Sequence, residues 1–261
     1  MSWIDVSVCA AHPKAAVDER ALLATMAGAG VARAWLFGAE VATSHDFKAA
    51  NDRVLDLAAR HPDKFVPIGV VNPFEAAAEA PRLLARGVKG MKVLTNWGNW
   101  ISLNNVREFI VPLGRMMREA NLPLIIALEG VAPLTGGSVA LPLIVRRACP
   151  DLALVLDHCW SPLAWEDYLA FARDYPDVWM TLHGLPQMLL RRVVAELGLD
   201  RILLGSWYPE TDPDLVYLQV ERAAGPGVRL GAVLTANAER ALAGRRPAAR
   251  AAGSKRAGLA S

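Results

Sequence analysis

Eight short apolar runs, each followed by a stretch with helical spacing, constrain the fold of this chain more than any other feature. The runs lie near Ile4–Cys9, Ala32–Phe37, Val66–Val71, Gly90–Leu94, Leu124–Leu128, Ala153–His158, Val178–His183 and Ile202–Ser206. Between them, apolar residues recur at helical spacing, as in Leu22, Leu23 and Met26, or Leu113 with Met116 and Met117. Pro, Gly and Asp punctuate the joints. Runs that are apolar on both faces belong to buried strands with helices packed outside them. Strand then helix, repeated eight times, predicts an α/β fold: a parallel sheet closed into a (β/α)8 TIM barrel. The length of 261 residues fits one such barrel or two small domains. No linker divides the chain, so we expect a single domain over residues 1–243 and a disordered basic tail over 244–261.

That tail explains the net charge. Arg245, Arg246, Arg250, Lys255 and Arg256 lie within it, and removing these five positive charges from the formal +2 leaves the body at −3. A barrel without a basic surplus argues against a nucleic-acid partner. No apolar stretch reaches the roughly 20 residues that span a bilayer, so no membrane partner is expected. No basic segment followed by an apolar run opens the chain. The three cysteines show no paired spacing, which suits reduced thiols in a cytoplasmic protein.

Six motifs occur in a telling order. They are Ile4-Asp5-Val6-Ser7-Val8-Cys9, Asn51 through Pro62-Asp63-Lys64-Phe65, Gly87-Val88-Lys89-Gly90-Met91-Lys92, Leu122-Pro123-Leu124-Ile125-Ile126-Ala127, Leu152 through Asp157-His158, and Arg201-Ile202-Leu203-Leu204-Gly205-Ser206-Trp207-Tyr208-Pro209. Thr235-Ala236-Asn237-Ala238-Glu239-Arg240 follows them. Together they resemble the amidohydrolase-related family of (β/α)8 barrels over about 240 residues. The resemblance also shows what has changed. Where the family has I-D-x-H-x-H, this chain has Ser7 and Cys9 in place of the histidines. The family's strand-five His is Ala127, and its strand-eight Asp is Trp207. An indole N–H only donates hydrogen bonds and cannot hold a cation, so the resemblance implies a barrel without its usual metal. The expectation is no metal and no cofactor.

In a barrel of this kind the active site lies at the carboxyl ends of the strands. There the period-two alternation, anchored on the family match, aims Ser7 and Cys9 inward on strand one. It puts Lys92 near the mouth on strand four, and Ala127 and Glu129 inward on strand five. Strand six offers His158, with Asp157 on the other side, and strand seven offers Thr181 and His183. The expected catalytic set is His158 as proton-transfer residue with Glu129 or His183 as partner, since an imidazole titrates near neutrality, whereas His12, His45 and His61, on loops and helices, are expected to be dispensable. Lys92 is expected to bind a substrate carboxylate. Each has a plainer reading as a hydrogen-bonded structural residue, and Cys9 as a small packed hydrophobe.

Eight Trp against six Phe and four Tyr is an unusual ratio. Trp97, Trp100, Trp160 and Trp207 all follow strand ends, and with Tyr208 they are expected to line a mouth suited to an aromatic ligand; the alternative is that they fill space left by the lost ligands. Two functions follow. One is a metal-independent hydrolase or lyase acting by acid–base catalysis on a small aromatic or carbonyl-rich acid, expected as a homodimer. The other is an inactive binding protein or partner subunit that kept the fold.

Overall fold

The computed structural model describes residues 2–12, 17–95, 105–128, 139–157 and 165–247. The strands are β1 (Trp3–Ala11), β2 (Val31–Gly38), β3 (Phe65–Pro67), β4 (Gly69–Val70), β5 (Met91–Leu94), β6 (Leu124–Ala127), β7 (Leu154–Asp157), β8 (Trp179–Leu182) and β9 (Ile202–Leu204). They form two parallel ribbons, β1-β2-β3 and β4 through β9. β3 and β4 are the two halves of the third barrel strand, broken at Ile68. The Ile68 N–H bonds the Leu36 carbonyl at 2.9 Å and carries the pairing across the break. The ring closes between β1 and β9, where Trp207 N–H donates to Ser7 O at 2.7 Å and Cys9 N–H to Tyr208 O at 3.0 Å. The single-domain (β/α)8 barrel read from the sequence is the fold observed.

Local chemistry explains the elements. Asp18 starts the helix α1 (Glu19–Gly28) by accepting from Ala21 N–H at 2.8 Å, and Asp46 starts the helix Phe47–Arg60 by accepting from Ala49 N–H at 2.9 Å. Three polar residues inside the motifs serve the backbone. The buried Asn51 amide donates to Val70 O and accepts from Val70 N–H, both at 2.8 Å, so it pairs the strand where β3 gives way to β4. Asn237 donates to Leu199 O and Ile202 O at 2.7 and 2.8 Å, and the Arg201 guanidinium caps carbonyls of Ala172 and Tyr175. A buried polar group left unpaired is costly, which is why these motif residues turn to backbone carbonyls and amides.

Two apolar cores result: a shell between sheet and helices, and the barrel interior. The lower interior is aliphatic and aromatic, with Ile4, Trp35, Val66, Ile125, Val155, Trp179 and Leu203. Residues after the last helix, Leu230–Leu242, close the barrel floor. The Trp179 indole donates to Arg245 O at 2.8 Å, and Arg246 pairs with Asp177 at 3.1 Å. Those contacts dock the start of the expected tail on the barrel; residues 248–261 lie outside the described ones. No helix among the described residues is long and apolar enough to cross a membrane.

Candidate active site

Register decides what fills the upper barrel. Val70, Lys92, Ile125, Val155 and Trp179 are partners across five strands, so the Lys92 backbone sits at the level of the apolar floor. Its long side chain then runs up the barrel axis rather than out of the mouth. Its ammonium ends 2.6 Å from Asp157 Oδ2 and 2.9 Å from Ser7 Oγ. It lies 3.3 Å from the centre of the Phe37 ring and 4.4 Å from that of Trp207. Aromatic faces attract a cation most when water is excluded, and Lys92 is 1% exposed.

Asp157 gathers the other groups. Ser7 Oγ donates to Oδ2 at 2.9 Å, the Trp207 indole to Oδ2 at 3.1 Å, and Thr181 Oγ1 to Oδ1 at 2.6 Å. Five strands or strand ends therefore contribute to one buried ion pair. Such a pair is tolerable in low dielectric only when its remaining hydrogen-bonding capacity is met, as it is here.

The seam between β1 and β9 carries a second buried acid. β1 is bulged between Asp5 and Val8 against β2. The bulge lets Ser7 and Cys9 both face inward while Asp5 turns to the seam, where its Oδ1 accepts from Ser7 N–H at 3.1 Å and Ser206 N–H at 3.0 Å. Burial pushes the Asp5 carboxyl up to about 7, against the opposing pull of the Ser206 and Ser7 hydrogen bonds. Gly205 is required beside it: a Cβ there would lie 2.6 Å from Ser7 Cβ.

Above the ion pair, the described mouth is polar and comes from the ends of β1, β2 and β9. His12 follows β1, and its Nε2 stands 3.1 Å from Glu210 Oε1, with the imidazole 3% and the carboxylate 25% exposed. Glu40 follows β2. Burial raises its carboxyl above the usual range against the pull of Arg53, whose Nε is 3.3 Å from Oε1. His183, just past β8, is buried.

Several sequence expectations change. Lys92 is not at the mouth, because register sets its root one layer lower, and its charge is taken up by Asp157. Asp157 points into the barrel, level with the inward Ala127, so it is not on the far side of the strand. Ser7 and Cys9 do face inward, as read. Both are fully buried, however, Ser7 in the ion-pair network and Cys9 in the inner apolar cluster. Burial also pushes the Cys9 thiol well above its ordinary range, which disfavours a ligand or nucleophile role. Trp207 is 1% exposed rather than lining the mouth. β9 has ended at Leu204, and the left-handed backbone at Trp207 (φ 56°) accompanies an indole aimed at Asp157. Tyr208 packs against the outer core and pairs with Cys9 only through its backbone. Glu129, His158, Trp97, Trp100 and Trp160 lie outside the described residues. Glu40 and Glu210 were missed, and His12, expected to be a dispensable loop residue, is buried against Glu210 at the end of β1. The visible signal was the position of His12 just beyond the first apolar run, since β1 extends to Ala11.

The sequence pattern of the amidohydrolase family matches residues 8–244. The chain belongs to that family. No curated protein matches it in sequence. Among solved structures it is similar to a TIM-barrel protein of Bordetella bronchiseptica, with 20% identity, 94% of this chain and 100% of the other covered, and a TM-score of 0.69. It is also similar to 2,6-dihydroxybenzoate decarboxylase from Rhizobium, at 17% identity, 93% and 99% coverage and a TM-score of 0.69. A third is 5-carboxyvanillate decarboxylase of Novosphingobium aromaticivorans, solved with manganese and 4-hydroxy-3-methoxy-5-nitrobenzoic acid. It shows 18% identity, 92% and 95% coverage and a TM-score of 0.66.

The described residues at the family's ligand positions do not fit such a metal. Among the described residues the family's ligand positions hold a hydroxyl, a thiol, a methyl and an indole, and a lysine ammonium lies among them. No group of three or more His, Cys, Asp or Glu among the described residues could hold an ion.

Proposed function

We propose that this chain is a metal-independent enzyme of the amidohydrolase family, a lyase or hydrolase that acts by acid–base catalysis on a small aromatic acid. One observation carries the metal-independent part: the Lys92 ammonium, held by Asp157, Ser7 and two aromatic faces, supplies a fixed positive charge where relatives use an ion. The solved decarboxylases of the same fold support the aromatic acid and make decarboxylation the favoured reaction. His158 is the proposed proton-transfer residue, with Glu129 or His183 as partner, and Trp97, Trp100 and Trp160 are the proposed aromatic walls. The buried free thiols Cys9 and Cys149 support a reducing, cytoplasmic setting, and a homodimer is proposed as the working form.

The test is turnover of hydroxylated benzoates, 2,6-dihydroxybenzoate and 5-carboxyvanillate first, by chelator-treated protein. His158→Ala should lower the rate by about 10²–10⁴-fold with folding intact. The complete burial of the Lys92–Asp157 network favours a second reading, a binding protein that kept the fold without the chemistry. Absence of turnover on all such acids, with a partner protein co-purifying, would establish it.

A further inference from the structure

We propose that the outward face of the helix Pro213–Ala224 is the contact surface between two copies of this chain, docked antiparallel about a two-fold axis at Leu218. The proposal rests on the homodimer reading above and adds to it the surface that makes the dimer. Three of the five large apolar side chains exposed among the described residues gather there. Leu215 is 50% and Leu218 44% exposed on this helix, and Met188, on the neighbouring helix Gln187–Leu197, is 76% exposed. The Gln187 side-chain amide donates to Gln219 O at 3.1 Å. That bond ties the first turn of the neighbour to Pro213–Ala224 and sets Met188 beside the same stretch. Single exposed apolar residues are ordinary on any surface, whereas a cluster on adjoining elements marks a contact site.

Charge says what covers this face. Asp214, Leu218 and Arg222 are four residues apart, so they form one ridge along the helix, with Leu215 on its flank. All four are exposed. Asp214 lies in the first turn and Arg222 in the last, where each complements the helix dipole. The dipole gives no reason for the leucines between them. Among the described residues the Asp214 carboxylate accepts from the Leu215 N–H at 2.8 Å and meets no cation, and the Arg222 guanidinium forms no ion pair.

The spacing is self-complementary. At about 1.5 Å per residue, the acid and the base stand about 6 Å to either side of Leu218 along the helix. Ridges of residues four apart lie alongside each other when two helices cross at about −50°. A second copy laid antiparallel, Leu218 against Leu218, then sets acid against base at both ends of the ridge. This is what an isologous two-fold contact requires. A parallel copy would set like charges together, and a partner of one sign would satisfy one end only. Glu221, the other charge of the last turn, is half-buried and lies off the ridge.

The experiment follows the association of the full-length protein by sedimentation over a concentration series, at low and high salt. The parent should form dimers, and salt should weaken them by screening the end pairs. Asp214→Arg leaves two bases on each ridge, and Arg222→Asp leaves two acids. Each variant alone should associate at least about tenfold more weakly than the parent. An equimolar mixture of the two should dimerise again as a mixed species, because every end contact in it joins a base to an acid. A mixture no tighter than its components overturns the antiparallel contact. A parent dimer that both single variants keep at full strength lies on another face, which overturns this surface and leaves the homodimer reading intact. A parent monomeric at every concentration overturns the homodimer reading and the surface with it. Should a charge variant fail to fold, Leu218→Glu, which sets two like charges on the axis, decides the question: loss of the dimer supports the contact and an unchanged dimer overturns it.

Discussion

The lower and upper halves of the barrel interior are built on opposite principles. The lower half, from Ile4 and Trp35 to Trp179 and Leu203, excludes water with apolar volume, and the one polar edge among those four side chains to be met by a backbone group, the Trp179 indole, ends on Arg245 O. The upper half, centred on Lys92 and Asp157, is as dry but charged, and it persists because each member satisfies another. Lys92 belongs to both: rooted in the floor, it delivers its charge one layer up. The hydroxyl, thiol, methyl and indole of Ser7, Cys9, Ala127 and Trp207 therefore do not leave the barrel hollow. A covalently attached cation and its counter-ion stand in the upper half.

The sharpest way to break this comparison is to unpair the charge. Lys92→Met should destabilise the protein by about 3–5 kcal/mol because Asp157 is left buried without its partner. At roughly 2–4 °C per kcal/mol for a domain of this size, the melting temperature should fall by about 10 °C. Adding Asp157→Leu to that variant should recover most of the loss, since replacing both members of a buried pair with apolar groups is often neutral. If the single variant is as stable as the parent, the upper half is not an ion-pair core.

Asp5 tests the seam beside it. Its folded pKa, about 7, lies above the ordinary value of 3.8, so the folded chain binds this proton more tightly than the unfolded one. Its contribution to stability is therefore full below about pH 4 and is lost as pH rises towards 7. The unfolding free energy of the parent relative to Asp5→Asn should decline across that window by at most about 4 kcal/mol. A flat difference would show that Asp5 stays ionised when folded.

Smaller changes sharpen the contrast. Trp207→Phe keeps most of the volume but removes a donor to Asp157, and denaturant titration should show a cost of about 1–3 kcal/mol. Lys48→Ala breaks a pair with Asp52 at 3.0 Å on the helix surface, where Lys48 is 73% exposed. It should cost no more than about 0.5 kcal/mol, as solvent-screened pairs do.

What was legible in the sequence follows from period and motif. Each apolar run became a strand, and the family match placed Ser7 and Cys9 inward. What was not legible depends on register between strands distant in sequence. Alternation along one strand gives the relative facing of its residues but not the level at which they sit, so the root of Lys92 in the floor was hidden. Choosing His158 as the inward residue of strand six turned Asp157 outward by the same alternation, and only the pairing of Ala127 with Asp157 corrects it. Trp207 escaped because its orientation goes with a left-handed backbone after the strand has ended. His12 escaped because β1 runs two residues past its apolar core.

The central claim, that a lysine ammonium stands in the place of the family's ion, is tested most directly by the metal content of the full-length protein. Purified without chelators and after incubation with excess manganese or zinc, then desalted, it should carry far less than one metal per chain by mass spectrometry, and chelators should leave its melting temperature unchanged. A stoichiometric metal that chelators remove with a loss of stability would contradict the account.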